Sequence, residues 1–202
     1  LANARDYDAL LVGCGLGQVE ATKSFIERLL LNGVQCPPLV IDADGLNTLA
    51  RHKDWWKDVS DHAVLTPHLG EMSRLIDSEI DEDRITLATS KATAWNKIVV
   101  LKGAHTVIAL PNGTAILSPF ANPGLATAGT GDVLAGVISG LISQGMSPAD
   151  AAALGVFIHG SAAERVKNEL GDMGMVASDL LPALPRTIRA LKSGQHSSQT
   201  QT

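Results

Sequence analysis

Aromatic side chains make up only 3% of the 202 residues, too few to build the stacking surface of a protein that threads single-stranded nucleic acid. Basic tracts are missing as well. The 16 Lys and Arg against 21 Asp and Glu give a formal charge of −5, which argues against nucleic acid or an anionic membrane as the main partner. No apolar run approaches the roughly 20 residues of a membrane-spanning helix, and no internal repeat is found. The two cysteines, Cys14 and Cys36, lack metal-ligand spacing, and with no secretory signal ahead of them they point to a reducing, cytoplasmic setting. What is present is a chain 45% hydrophobic and 18% charged, long enough to bury one core. A single domain over residues 1–192 is expected, with a polar, disordered tail over 193–202. Leu1-Ala-Asn-Ala is not an ordinary start, so the chain reads as a processed or clipped product.

The stretch richest in chemistry is Asn122-Pro-Gly-Leu-Ala-Thr-Ala-Gly-Thr-Gly-Asp132, which runs straight into the apolar pattern Val133 to Ile142. Gly124, Gly129 and Gly131 can take positive φ, so successive amides can converge on one anion. A helix opening near Thr130 to Asp132 adds free N–H groups and the positive end of a dipole, which makes Gly129, Thr130 and Gly131 candidates for holding phosphate. Asp132 has two readings. It fits as an ordinary N-cap, or as a base that takes the proton from a hydroxyl about to receive a phosphoryl group.

The rest of the chain alternates short apolar runs with helical patterns, as a mostly parallel α/β sheet requires. Asp8 to Gly13 reads as a buried strand delivering Gly13-Cys-Gly-Leu-Gly17, either a tight turn or a close approach to ligand at Gly15 and Gly17. A helix over 19–31 follows, with Phe25, Ile26, Leu29 and Leu30 on its apolar side and Gly33 as its stop. Leu39 to Asp42 is the next strand. Asp42 and Asp44, with Asn47, then stand at a strand's carboxyl end, where open parallel sheets bind ligands, although a capping and turn cluster explains them equally. Trp55 and Trp56 are expected to cover a helix end. Ala63 to Thr66 is a third strand, leading to His68 and a helix to Ile76, and a helix over 82–96 turns Ile85, Ala88, Ala92 and Trp95 to one side. Lys97 to Lys102 is the clearest strand. It ends in Lys102-Gly-Ala-His-Thr106, which can hold phosphate through an ammonium, main-chain amides and a hydroxyl, or can be a plain hairpin turn. Val107 to Leu110 and Thr114 to Leu117 form a hairpin around Asn112-Gly113. Ser147 caps a long helix to Leu170, in which His159 and Gly160 read as packing residues, and Ser178-Asp179 opens a last helix through Leu191.

Taken together, Gly-Cys-Gly-Leu-Gly at 13–17, Asp-Ala-Asp-Gly-Leu-Asn at 42–47, Leu-Thr-Pro-His-Leu-Gly-Glu-Met-Ser-Arg-Leu at 65–75, Leu-Lys-Gly-Ala-His-Thr at 101–106 and the glycine-rich stretch from Asn122 resemble one family in order and spacing. It is the ADP-dependent NAD(P)H-hydrate dehydratase family of the ribokinase-like superfamily, matched from about Asp8 to about Leu191. The resemblance implies a three-layer α/β/α sandwich and a repair reaction, in which the (6S) hydrate of NADH or NADPH returns to the working cofactor while ADP becomes AMP and phosphate. It implies that Lys102, Gly103, Ala104, His105, Thr106 and Gly131 contact the nucleotide. It places Gly15, His68 and Asp132 on the hydrate, with Gly17, Asn47 and Asn122 in the same cleft and Asp132 as the base. ADP, or ATP in its place, is the implied donor, and Mg²⁺ is expected to neutralise the clustered phosphates, with Asp42 and Asp44 as its candidate carboxylates.

Family members carry roughly seventy further residues before the position of Asp8 (judged against typical domain size). Their absence here predicts an exposed sheet edge, and with it a homo-oligomer or association with the missing segment. The alternatives are a small-molecule kinase of the hydroxyethylthiazole-kinase type, which shares the glycine-rich loop and its aspartate, and a non-catalytic nucleotide-binding relative.

Overall fold

In the computed structural model the chain is described over residues 4–31, 36–61, 63–171 and 173–194. The expected helix stop at Gly33, and residues 195–202 of the tail expected from 193, lie outside the described residues. Six short strands form one sheet in the order β1 (Leu10–Val12), β2 (Leu39–Ile41), β3 (Val64–Leu65), β4 (Ile98–Leu101), β5 (Val107–Ala109) and β6 (Ala115–Leu117). The first four run parallel, and β4–β5 and β5–β6 are antiparallel. Lys102 to Thr106 is thus a turn between antiparallel neighbours.

Period-2 alternation sorts the strand side chains between two layers. Leu39, Ile41, Leu65, Val99 and Leu101 face one core, while Val40, Val64, Ile98 and Val100 face the other. The first core is closed by α1 (Glu20–Leu30), α2 (Ala43–Leu49), α3 (Leu69–Ile76) and α4 (Arg84–Trp95). Strands that advance one place at a time through right-handed crossovers keep every connecting helix on one face. The opposite face is therefore free for the carboxyl-terminal helices, and α5 (Thr130–Ile142) and α6 (Pro148–Leu170) fill it through Leu134, Ile138, Ala152 and Val156. A last helix, α7 (Ala177–Lys192), packs on α6 through Leu180 and Ala183. The three-layer α/β/α sandwich expected from the sequence is the observed fold.

Some burial expectations change. Phe25 in α1 and Ile85 in α4 are exposed, at 43% and 41%, because they fall on the side of each helix turned from the core, where Ile26 and Leu87 are buried. Trp55 does not merely cover a helix end. It is 1% exposed and packs at a tilt against Trp95 with centroids 4.9 Å apart, as part of the first core. Ser147 caps α6 as expected, accepting the Asp150 N–H, and Asp83 caps α4 through the N–H groups of Ile85 and Thr86. Among the described strands β1 pairs with β2 alone, so one edge of the sheet is open. No helix among the described residues is long and apolar enough to cross a membrane.

Candidate active site

Parallel pairing brings the carboxyl ends of β1 to β4 to one edge, and Gly13, Asp42, Thr66 and Lys102 are the residues that follow those ends. Across this edge lies the start of α5. Asn122 directs its Oδ1 to the Gly124 N–H at 2.9 Å and starts a tight turn over Pro123–Ala126, after which Gly129 takes φ 87° and N-caps α5. The Thr130 hydroxyl donates to the carbonyls of Leu125 and Thr127, at 2.7 and 2.8 Å. The first turn of α5 thus presents its N–H groups, those of Gly131 and Asp132 included, without intrahelical acceptors.

Two expectations are corrected here. Asp132 is not the N-cap: it sits at the third helical position with its side chain exposed, because Gly129 already makes the left-handed turn. Of the three glycines in the loop, only Gly129 has positive φ. Gly131 and Gly124 instead lie under the ends of the long Lys102 and Met175 side chains. A Cβ on Gly131 would lie 3.2 Å from Lys102 Nζ, and one on Gly124 would lie 2.5 Å from Met175 Cε.

Lys102 reaches from the end of β4 to Asp42 Oδ1 at 2.7 Å, with Glu71 Oε2 at 3.7 Å. Asp42, its side chain 2% exposed, also accepts the Thr66 hydroxyl at 2.7 Å. Although Asp42 stands at the N-terminus of α2, its carboxylate does not cap that helix. Cys14 donates weakly to Asp42 Oδ2 at 3.7 Å. Burial, then the carboxylates of Asp42 and Asp132, push the Cys14 thiol up to about 12, so it stays a protonated donor. Donor atoms of Cys14, Asp42 and Asp132 all lie within 4.8 Å of one another.

A cavity of about 650 Å³ opens over this junction. Of the candidates from sequence, Asp42, His68, Lys102, Gly103, Ala104, Thr106, Asn122, Gly129, Thr130, Gly131 and Asp132 line it together. His68 is also the N-cap of α3: its Nδ1 accepts the Glu71 N–H at 3.1 Å, and Glu71 Oε2 accepts the His68 N–H at 2.8 Å. Its ring remains half-exposed to the cavity.

Gly15, Gly17, Asn47, His105 and Asp44 are not among the lining residues. Asp44 is engaged by the Gly17 N–H at 2.7 Å and Gln18 Nε2 at 2.6 Å, which close the glycine loop after β1. Asn47 Oδ1 accepts from Arg74 at 2.9 Å. His105 faces Ser118, with Nδ1 3.1 Å from its carbonyl, and bolts the Lys102 to Thr106 turn to the segment after β6. The glycine loop still abuts the reactive corner through Cys14. Its approach is tight enough that a Cβ on Gly13 would fall 1.7 Å from the Asp42 carbonyl oxygen.

Three participants escape sequence reading. Arg84, at the start of α4, donates to the carbonyls of Leu101 and Ala104 and so props the Lys102 turn from behind. Glu71 was within reach, since His68 to Glu71 has capping-box spacing. His159 reads from sequence as a packing residue only, and nothing local ties it to Thr130. It sits 29 residues beyond Thr130, is 6% exposed, lines the cavity and meets the Thr130 carbonyl at 2.9 Å through Nε2. Burial, helped by the Lys102 charge and opposed by the hydrogen bond to the Thr130 carbonyl, lowers its pKa to about 4. The unfolded chain takes up this proton as the pH falls below 6.5, whereas the folded ring resists until about 4. The stability contributed is therefore complete above pH 6.5 and is lost between 6.5 and 4, on the order of 3 kcal/mol. Urea titrations across this range should fall less steeply for His159→Gln than for the parent chain, and equal slopes would contradict the assignment.

The family profile for NAD(P)H-hydrate dehydratase matches residues 1–186. The chain belongs to the NAD(P)H-hydrate dehydratase family. A bifunctional NAD(P)H-hydrate repair enzyme of Moorella thermoacetica is 45% identical over 197 residues, covering 95% of this chain and 36% of that protein. An ADP-dependent (S)-NAD(P)H-hydrate dehydratase of Neisseria meningitidis is 35% identical, covering 91% of this chain and 64% of its own length. The chain thus spans about a third of the bifunctional relatives and under two thirds of the shorter one. The crystal structure of an ADP/ATP-dependent NAD(P)H-hydrate dehydratase from Bacillus subtilis, co-crystallised with ATP and Mg²⁺, superposes with a TM-score of 0.79 at 32% identity, covering 90% of this chain and 64% of that one. The dehydratase family fold is ribokinase-like, and the sheet and its flanking helices follow it.

Proposed function

We propose that this chain carries the ADP-dependent dehydration of (6S)-NAD(P)H hydrate, releasing AMP and phosphate. The observation that carries this reading is the exposed Asp132 carboxylate in the first turn of α5, within 4.8 Å of Asp42 and lining one cavity with the Lys102 side chain. In the reaction Asp132 takes the proton from the hydroxyl on the hydrated nicotinamide ring. The hydroxyl oxygen attacks the β-phosphorus of ADP, and the bond to the AMP oxygen breaks. Lys102 and the N–H groups of Gly131 and Asp132 hold the charge on the moving phosphoryl group. Hydroxide has thereby become phosphate, a far better leaving group. The ring nitrogen lone pair expels it and a ring proton is lost, which restores NAD(P)H.

Hard oxygen ligands suit Mg²⁺, and the Asp42 carboxylate, which lines the cavity, is one such ligand. Asp42 would hold the ion, whose chemistry is to neutralise phosphate charge, while Asp44 is spent on Gly17 and Gln18. His68, half-exposed on the cavity wall, faces the hydrate, and the Lys102 to Thr106 turn faces the nucleotide.

Incubating the chain with NADH hydrate and ADP should restore the near-ultraviolet absorbance of the reduced nicotinamide. Phosphorylation of a hydroxyethylthiazole from ATP, with no recovery from the hydrate, would mark the kinase alternative. Nucleotide binding without any turnover would mark a non-catalytic relative. Residues 1–192 act in this reading as one domain around a shared sheet, in a reducing compartment where Cys14 and Cys36 stay unpaired. The open β1 edge, with Tyr7 exposed just before it and Val19 and Phe25 after it, supports association with a second copy. Light scattering that finds a lone monomer would overturn this association.

A further inference from the structure

Among the buried titratable groups described, Glu71 and His159 line the cavity without a part in the chemistry above, and His159 is the one bonded to α5. Its surroundings are built to hold it still. α6 crosses α5 so closely that a Cβ on Gly155 would lie 2.7 Å from Ile138 Cγ1. One residue after His159, Gly160 has no room for a Cβ, which would fall 2.2 Å from the Phe120 ring. Phe120 in turn packs on Phe157 at 5.4 Å. An imidazole seated in this seam is neutral and carries a single N–H. A carbonyl oxygen can only accept, so that N–H is on Nε2 and points at Thr130, the first residue of α5. Thr130 is also tied through its hydroxyl to Leu125 and Thr127. Two independent anchors on one residue fix the pitch and rotation of the first helical turn, and Gly131 and Asp132 are the next two residues along it.

We propose that His159 is a positioning residue for phosphoryl transfer: by its hydrogen bond to the Thr130 carbonyl it sets the first turn of α5 so that Asp132 and the adjacent amides meet the hydroxyl and the phosphoryl group in line. His159 touches no reacting atom itself. The role rests on the dehydratase reading for its catalytic consequence, but the bond it depends on does not. Misplacement of reacting groups by a fraction of an ångström lowers turnover much more than it lowers affinity for a ligand held at many points. Loss of the bond therefore separates kcat from KM.

The test compares the whole chain with His159→Leu and His159→Gln, since the glutamine amide can return an N–H to the same carbonyl. His159→Leu should lower kcat with NADH hydrate about tenfold or more while the KM for ADP stays within about threefold. His159→Gln should recover most of kcat. Equal loss in both variants, or a loss that follows the fall in melting temperature, would mean that His159 only fills space and would overturn the proposal. The ring nitrogens are read separately by ¹⁵N NMR of the parent chain, without substrate. A neutral ring protonated on Nε2 at pH 6 is expected, and protonation on Nδ1 alone would overturn the bond itself. A parent chain that shows this tautomer but never turns over the hydrate would refute the dehydratase reading and leave the hydrogen bond standing.

Discussion

Asp132→Asn should leave the fold and nucleotide affinity intact and lower kcat with NADH hydrate by a factor on the order of 10³. The side chain is exposed at the third position of α5 and bears no packing, so an isosteric amide creates no cavity and strands no buried partner. Asparagine cannot accept the hydroxyl proton, and without that transfer the oxygen is too weak a nucleophile for the β-phosphorus. The substitution also removes a negative charge beside the phosphates. ADP should consequently bind as well as before or more tightly, which calorimetry measures. A fall in kcat of less than tenfold would remove Asp132 from the role of base.

The second large effect is at Lys102. Lys102→Met removes the ammonium that faces Asp42 at 2.7 Å, and leaves a carboxylate only 2% exposed with the Thr66 hydroxyl and the weak Cys14 thiol for company. Breaking one side of a buried pair in this way costs about 3 kcal/mol or more, because the remaining charge keeps its desolvation penalty and loses its partner. A fall in melting temperature of roughly 10 °C is expected for a chain of this size. Nucleotide affinity should fall as well, by about tenfold, since the ammonium lies against Gly131 where the phosphates are proposed to sit. The two losses separate in the double variant. Adding Asp42→Asn to Lys102→Met removes the unpaired charge and should restore much of the melting temperature, while ADP affinity stays low. If affinity recovers together with stability, Lys102 is a structural partner of Asp42 and not a phosphate ligand.

The two roles of Lys102 explain why the site is both stable and receptive. Before ligand arrives, the ammonium is held by Asp42 and stands near Glu71, so it is aimed and does not sweep through solvent. The N–H groups of the first turn of α5 are likewise fixed by the Thr130 anchors. Little reorganisation is left for the moment of transfer, which is the condition under which fixed dipoles and charges accelerate a reaction most.

Much of this was legible in the chain itself. Apolar runs of three or four residues closed by Gly13, Asp42, Pro67 and Lys102 announced strands buried on both faces, and the glycine-rich stretch before Val133 announced an anion-binding helix start. Local chemistry suffices for these because strand burial and helix capping are decided within a few residues. The spacing of the motifs also carried the family, from Gly13 to Gly136. What local chemistry leaves open is which of these corners meet. Asp44 and Asp42 are two residues apart and look alike on paper, yet one closes a glycine loop and the other faces Lys102 across the sheet. Arg84 and His159 gave no sign, because each acts on a carbonyl 17 or more residues away along the chain. The sequence alone determined the strands, the helices and the loop that receives an anion. The tertiary structure decided that sequential parallel strands, with all their helices on one face, leave the other face to α5 and α6, and this packing alone carries Asp132, Lys102 and His159 to one edge of the sheet.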